Sequence, residues 1–276
     1  MRDRAQAGDR PSDRPTGAGY RAPVMPERMG RVEDGNELPY LVWRLDAPAR
    51  MVSSAVLGGG IGERSWIVNA QVRPGYDRLD PGRHLTELAD TAGLRGPGVG
   101  LLTAADVDGY RSVTDGGVRV DATVGVRVPT WASSPERTAD PDLAAGAGAD
   151  RDLDRAIDLD RAVDGAIRPG TINIVAFVPA TLTDGALVNL VATATEAKTQ
   201  ALLDLGIPGT GTATDAVCIV AALAGDGVPV AAADDTDADP FGGPRSYWGA
   251  RLARAVHAAV RAGTADSLER MGGTGR

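Results

Sequence analysis

The chain has 276 residues, 43% of them hydrophobic and 24% charged, and a formal net charge of -8. This is enough apolar material for one good-sized core, and an acidic balance with no basic, aromatic-interleaved stripe excludes nucleic acid as a partner. The single cysteine, Cys218, excludes a disulfide framework and fits a reducing compartment, and no apolar run is long enough to cross a bilayer.

Residues 1–28 are rich in Arg, Asp, Pro and Gly and read as a disordered arm without the apolar centre of a signal peptide, so a cytoplasmic protein is expected. The domain is expected over 29–263. Strands are predicted over 38–45, 51–57 and 65–72. Gly58–Gly62 reads as a hairpin turn and not a nucleotide fingerprint, because another strand follows it. Asp80-Pro81 opens a helix that ends at Gly93, and its His84 reads as a solvent residue. A short buried strand is predicted over 99–104, then a hairpin about Asp115-Gly-Gly with Asp121 and Thr123 on one polar face. Residues 133–168, with alternating Asp and Arg, read as an exposed insertion, and 225–240 as an acidic loop. A helix is expected over 248–261, with His257 at its surface and residues 264–276 as a flexible tail. The pattern predicts one α/β domain, with α+β as the alternative, in which mixed β-sheets are covered by helices.

The most informative stretch is 170–222: a buried strand, a helix, and a second buried strand entered through Gly209-Thr-Gly-Thr-Ala-Thr-Asp215. The helix has an apolar face of Leu187, Leu190, Val191, Ala194, Ala201, Leu202 and Leu205. Lys198, the only lysine in the chain, falls in the middle of that face. A lysine aimed into a core needs a carboxylate or loses its charge, and Asp215 is the natural partner. Asn189, Thr193, Glu196 and Gln200 make a polar stripe on the opposite side, read either as functional or as a solvated face. The turn, with Gly209, Thr210, Gly211, Thr212 and Thr214, suits backbone donation to a ligand oxygen. Together these groups match amide hydrolysis. Glu196 or Asp215 activates water, and Lys198 orients the carboxylate or steadies the oxyanion. The rival assignment makes Thr171, at the start of a buried strand, a covalent nucleophile. The two histidines are isolated and no Cys/His spacing suits zinc, so no metal site or cofactor is expected.

Blocks in order complete the argument: Val52-Ser-Ser-Ala-Val-Leu, Asn69-Ala-Gln-Val, Gly100-Leu-Leu-Thr-Ala-Ala, Val120-Asp-Ala-Thr-Val-Gly, Gly170-Thr-Ile-Asn-Ile, Thr195-Glu-Ala-Lys-Thr-Gln-Ala-Leu, Gly209-Thr-Gly-Thr-Ala-Thr-Asp-Ala-Val and Gly243-Pro-Arg-Ser. Over residues 38–260 the chain resembles the adenosylcobinamide amidohydrolase family. The resemblance implies cleavage of the amide joining the corrin ring to the aminopropanol arm. The products are adenosylcobyric acid and 1-amino-2-propanol, and the cobalt belongs to the substrate. With their strand positions, it makes Asn69, Asp121, Thr123 and Asn173 the expected binders of the corrin amides or the adenosyl group. A narrower resemblance, resting on Gly170-Thr-Ile-Asn-Ile-Val and the helix after it, is to self-processing Ser/Thr amidohydrolases. It implies an α/β/β/α sandwich with Thr171 as nucleophile. The alternatives to the corrinoid hydrolase are a corrinoid carrier without catalysis and an amidase for another small amide; the oligomeric state is left open.

Overall fold

The computed structural model describes residues 24–73, 75–134, 170–221 and 238–273. The greater part of the expected insertion and acidic loop, and the first part of the N-terminal arm, lie outside the described residues. The strands are β1 Glu27–Glu33, β2 Asn36–Ser53, β3 Gly60–Gln71, β4 Gly98–Thr103, β5 Arg111–Asp115, β6 Val118–Gly125, β7 Thr171–Val178 and β8 Ala216–Ala221; the helices are α1 Pro81–Thr91, α2 Asp184–Leu203 and α3 Tyr247–Gly273. The fold is α/β, with one mixed sheet in the order β4-β3-β2-β8-β7-β6-β5 and β1 beside β2. The pairs β3–β4 and β7–β8 are parallel and the rest antiparallel. Each parallel pair is joined through a helix, α1 or α2, as parallel neighbours require.

The sheet closes over itself. β3 and β6 stand four strands apart in the ladder, roughly 19 Å in a flat sheet, yet Asn69 Nδ2 on β3 donates to Thr123 Oγ1 on β6 at 2.8 Å. The turn is made by β2, the longest described strand, whose register with β3 shifts between Arg44 and Ala49 and whose last residues, Met51–Ser53, pair with β3 on one side and β8 on the other. Three buried clusters follow. One lies between the two halves of the sheet, with Trp43, Ile67 and Leu101 facing Val175, Phe177 and Val220. A second packs α2 and α3 on β6, β7 and β8, and a third packs α1 on β2 and β3. β6 and β7 are buried on both faces. Val120, Ala122, Ile172 and Ile174 face the helices, and Asp121, Thr123, Asn173 and Val175 face the other half of the sheet.

Several elements differ from the sequence expectation. Residues 38–45 and 51–53 are parts of one long strand, because β2 crosses the fold without a turn; it ends at Ser53, and residues 54–57 of the second expected strand lie beyond it, with Leu57 bridged to Gly100. β1 begins inside the expected arm; its charged sequence suits an edge, and Asp34-Gly35, both with positive φ, closes the hairpin to β2. His84 is buried, not solvated. α3 runs past Gly263 to residue 273. Gly263 is no stop: it lies so near β6 that a Cβ would come within 2.7 Å of Val124 Cγ2. Beyond it Thr264 is buried, and the Ser267 hydroxyl accepts from Val126 N–H. Among the described residues no helix is long and apolar enough to cross a membrane.

Candidate active site

A dense polar cluster joins the start of β7, the loop before β8 and the inner face of α2. Thr183 caps α2 by accepting from Ala186 N–H, and Gly206, with φ of 71°, ends it. This register turns Lys198 inward with Ala194, Ala201 and Leu202. Its ammonium donates to Asp215 Oδ2 at 2.5 Å, with the two side chains 9% and 12% exposed. Asp215 Oδ2 also accepts from Thr212 N–H at 3.1 Å, while Oδ1 accepts from Ile172 N–H at 2.9 Å and from the Thr212 hydroxyl at 2.6 Å. Each carboxylate oxygen thus holds two donors. Asp215 is built as a clamp between α2, β7 and the turn, and it has no lone pair in reserve for a water.

Hydroxyl groups continue the cluster. Gly170 C=O is within reach of the Thr212 and Thr214 hydroxyls, at 2.8 and 3.2 Å, and Thr171 Oγ1 lies 2.7 Å from Thr214 Oγ1. With the single Thr212 proton on Asp215, the Thr214 proton goes to Gly170 C=O, and Thr171 then donates to Thr214. Thr171 is buried and Thr214 exposed, so the pair leads from the core to the rim. Gly211 has to be a glycine here: a Cβ would overlap Asp215 Oδ2 and stand 2.5 Å from Lys198 Nζ. Gly209 and Thr210 hold the turn against residues 129–130, with Thr210 N–H donating to Thr130 C=O and Thr130 N–H to Gly211 C=O.

Lys198, Asp215, Thr171, Thr212, Thr214 and Gly211 are therefore brought together, and Glu196 is not. Two residues before Lys198, it sits about 200° round the helix, and its side chain is exposed with Asn189 and Gln200. Thr193 leaves that stripe for the core and donates to Gly242 C=O. The expected ligand binders Asn69, Asp121, Thr123 and Asn173 are all buried between the sheet halves. Asn173 donates to Asn69 Oδ1 and to Leu102 C=O, and Asn69 to Thr123. Asp121 is closed in by Arg119 and the Trp43 indole N–H. The polar face legible in β6 is real, but it meets a second layer of protein. The backbone groups of Gly170 and Ile172 escaped the sequence reading because a main-chain donor or acceptor has no residue signature.

The family model for adenosylcobinamide amidohydrolase matches residues 25–272. The chain belongs to the adenosylcobinamide amidohydrolase family. The adenosylcobinamide amidohydrolase of Methanosarcina mazei is 27% identical over 210 residues, which cover 76% of this chain and 88% of that one. Two solved structures have similar outlines. The PH0078 protein of Pyrococcus horikoshii OT3 gives a TM-score of 0.44 at 11% identity, covering 89% of this chain and 84% of that one. A Burkholderia sp. beta-aminopeptidase gives 0.42 at 12%, covering 91% and 88%. At those scores neither likeness bears on activity. Family membership makes the chain an amidohydrolase, and the block order noted in the sequence runs through β2, β3, β4, β6, β7, α2 and the turn before β8.

Proposed function

We propose that this protein hydrolyses the amide between the corrin ring and the aminopropanol arm of adenosylcobinamide, giving adenosylcobyric acid and 1-amino-2-propanol. The observation that carries the reading is the family match, which spans every residue of the Lys198–Asp215–Thr171 cluster. Amide hydrolysis needs an oxygen nucleophile, a group for the oxyanion and a proton for the departing amine. Lys198 spends one N–H on Asp215 and keeps two for a carbonyl oxygen, so it serves as the oxyanion group. Asp215 fixes that ammonium. The Thr171 hydroxyl attacks, its proton passing to Thr214 and on to the leaving 1-amino-2-propanol, and water then cleaves the Thr171 ester, giving adenosylcobyric acid and returning a proton to the Thr171 oxygen. Glu196, away from the cluster, has no part in this scheme.

The deciding experiment is incubation of the purified protein with adenosylcobinamide and mass spectrometry of the products. Free 1-amino-2-propanol is expected. Binding without its release would instead make the protein a corrinoid carrier. Thr171→Val is expected to lower turnover at least a hundredfold; full turnover by this variant would remove the covalent step and leave water as the nucleophile.

A further inference from the structure

An open groove of about 520 Å³ runs between α1 and the early residues of β3 and β4, apart from the cluster described above. Its walls include Leu57, Trp66 and Leu94, and its charged groups are Arg64, Arg95 and Asp90. Elsewhere arginines near carboxylates close on them, as Arg28 does on Asp108, Arg50 on Asp184 and Arg254 on Asp115. In the groove they do not. Among the described residues, Arg64 donates only to the carbonyl of Glu63, and neither Arg95 nor the Asp90 carboxylate has a partner. The groove thus holds two guanidinium groups and a carboxylate that form no ion pair among the described residues, beside an apolar wall. Its shape depends on glycine: a Cβ on Gly58, where φ is 70°, would overlap Gly98 C=O, and one on Gly98 would overlap the Trp66 ring.

An anion would meet Asp90 and a cation would meet two guanidinium groups. A carboxamide satisfies both, because its carbonyl accepts from arginine while its N–H donates to the carboxylate. We infer that this groove is a carboxamide-binding subsite that takes the amide-bearing rim of a corrinoid; the identity of the ligand rests on the function proposed above. The groove is also connected to the reacting end of the fold. Ser54 exchanges hydrogen bonds with Val217, two residues after Asp215. Leu57, at the groove, lies three residues further along that strap, a span of at most about 10 Å. Leu57 C=O in turn accepts from Gly100 N–H of β4. The groove and the turn before β8 therefore lie at the same end of the sheet.

The test is equilibrium dialysis of adenosylcobinamide against the full-length protein and its Asp90→Ala, Arg95→Ala and doubly substituted forms. Asp90 and Arg95 are exposed, so unchanged circular dichroism and melting temperature are expected. Loss of a hydrogen bond to a charged group predicts roughly tenfold weaker binding for each single variant, and a larger loss for the double. A corrinoid whose peripheral amides are methyl esters keeps the carbonyl acceptor and lacks the N–H, so it should bind wild type and Asp90→Ala alike and still lose affinity with Arg95→Ala. Affinities within twofold of wild type in all three variants would overturn the subsite. Binding that depends on Asp90 and Arg95 without release of 1-amino-2-propanol would uphold the groove and sink the hydrolase reading. No binding to wild type would sink both.

Discussion

Lys198 and Asp215 do not carry equal weight. Removing the ammonium leaves Asp215 with three donors, from Ile172 and Thr212. Removing the carboxylate strands an ammonium and two peptide N–H groups in a largely buried corner, while the Thr212 hydroxyl can still turn to Gly170 C=O. Lys198→Met is therefore expected to cost about 1–3 kcal/mol, and Asp215→Ala about 3–5 kcal/mol, read as shifts in urea midpoint at constant slope. Equal costs would mean that the pair, and not the clamp, holds this corner. Gly211→Ala adds one methyl against both charged groups. It is expected to lower turnover on the order of a hundredfold through misplacement, with a smaller loss of stability than Asp215→Ala, measured by steady-state kinetics beside the same urea series. This corner was largely legible in the sequence, because a solitary lysine on an apolar helix face demands a carboxylate and the turn before β8 supplies one. The place of Glu196 was not: counting residues puts it across the helix from Lys198, and the packed helix leaves it exposed, away from the Lys198–Asp215 cluster.

At the scale of elements, periodicity located most of the helices and strands, and packing decided where they ended. Gly263 illustrates the difference. By propensity a glycine weakens a helix by about 1 kcal/mol against alanine, so a stop there was the natural reading. In the fold, α3 crosses β6 at Gly263 and needs the missing side chain to approach Val124. Gly263→Ala is accordingly expected to destabilise, the overpacking cost of about 1–3 kcal/mol exceeding the gain in propensity. Gly185 is the control. It lies in the first turn of α2 with no atom nearer than 3.9 Å to a built Cβ, and Gly185→Ala should stabilise by about 0.5 kcal/mol. Thermal melts of the two variants should move in opposite directions; a rise in both would show that α3 can slide off β6 at no cost.

Over the described residues the molecule is a sheet folded over a partly polar seam, with one helix on one side and two on the other. The sequence could not reveal the seam, because Asn69, Asp121, Thr123 and Asn173 present the same alternation whether they face a ligand or another strand. The outer layers are tied by further buried polar groups, and one of them titrates. His84 on α1 accepts or donates at Nδ1 to the Tyr76 hydroxyl at 2.9 Å, and its Nε2 lies 3.4 Å from Glu33 of β1. Burial pushes the imidazole below its ordinary value. Among the charges that face it, Arg78 and Arg31 act the same way, and Glu33 and Glu87 against it. The unfolded chain therefore holds a proton on this group where the folded chain does not. Stability contributed by neutral His84 is complete above the unfolded value of about 6.5 and is lost as pH falls from there through the lower folded value. The carboxylates of Asp80, Glu87, Asp108 and Asp115 are held below their usual range by arginine, so their own losses come at more acid pH. Between pH 7 and 5.5 the free energy of unfolding should decline in the wild type, and the decline should be shallower in His84→Phe, whatever the absolute stability of that variant. Urea titrations at four pH values in this window decide it: parallel slopes for the two proteins would show that β1 is not pinned to α1 through a neutral imidazole.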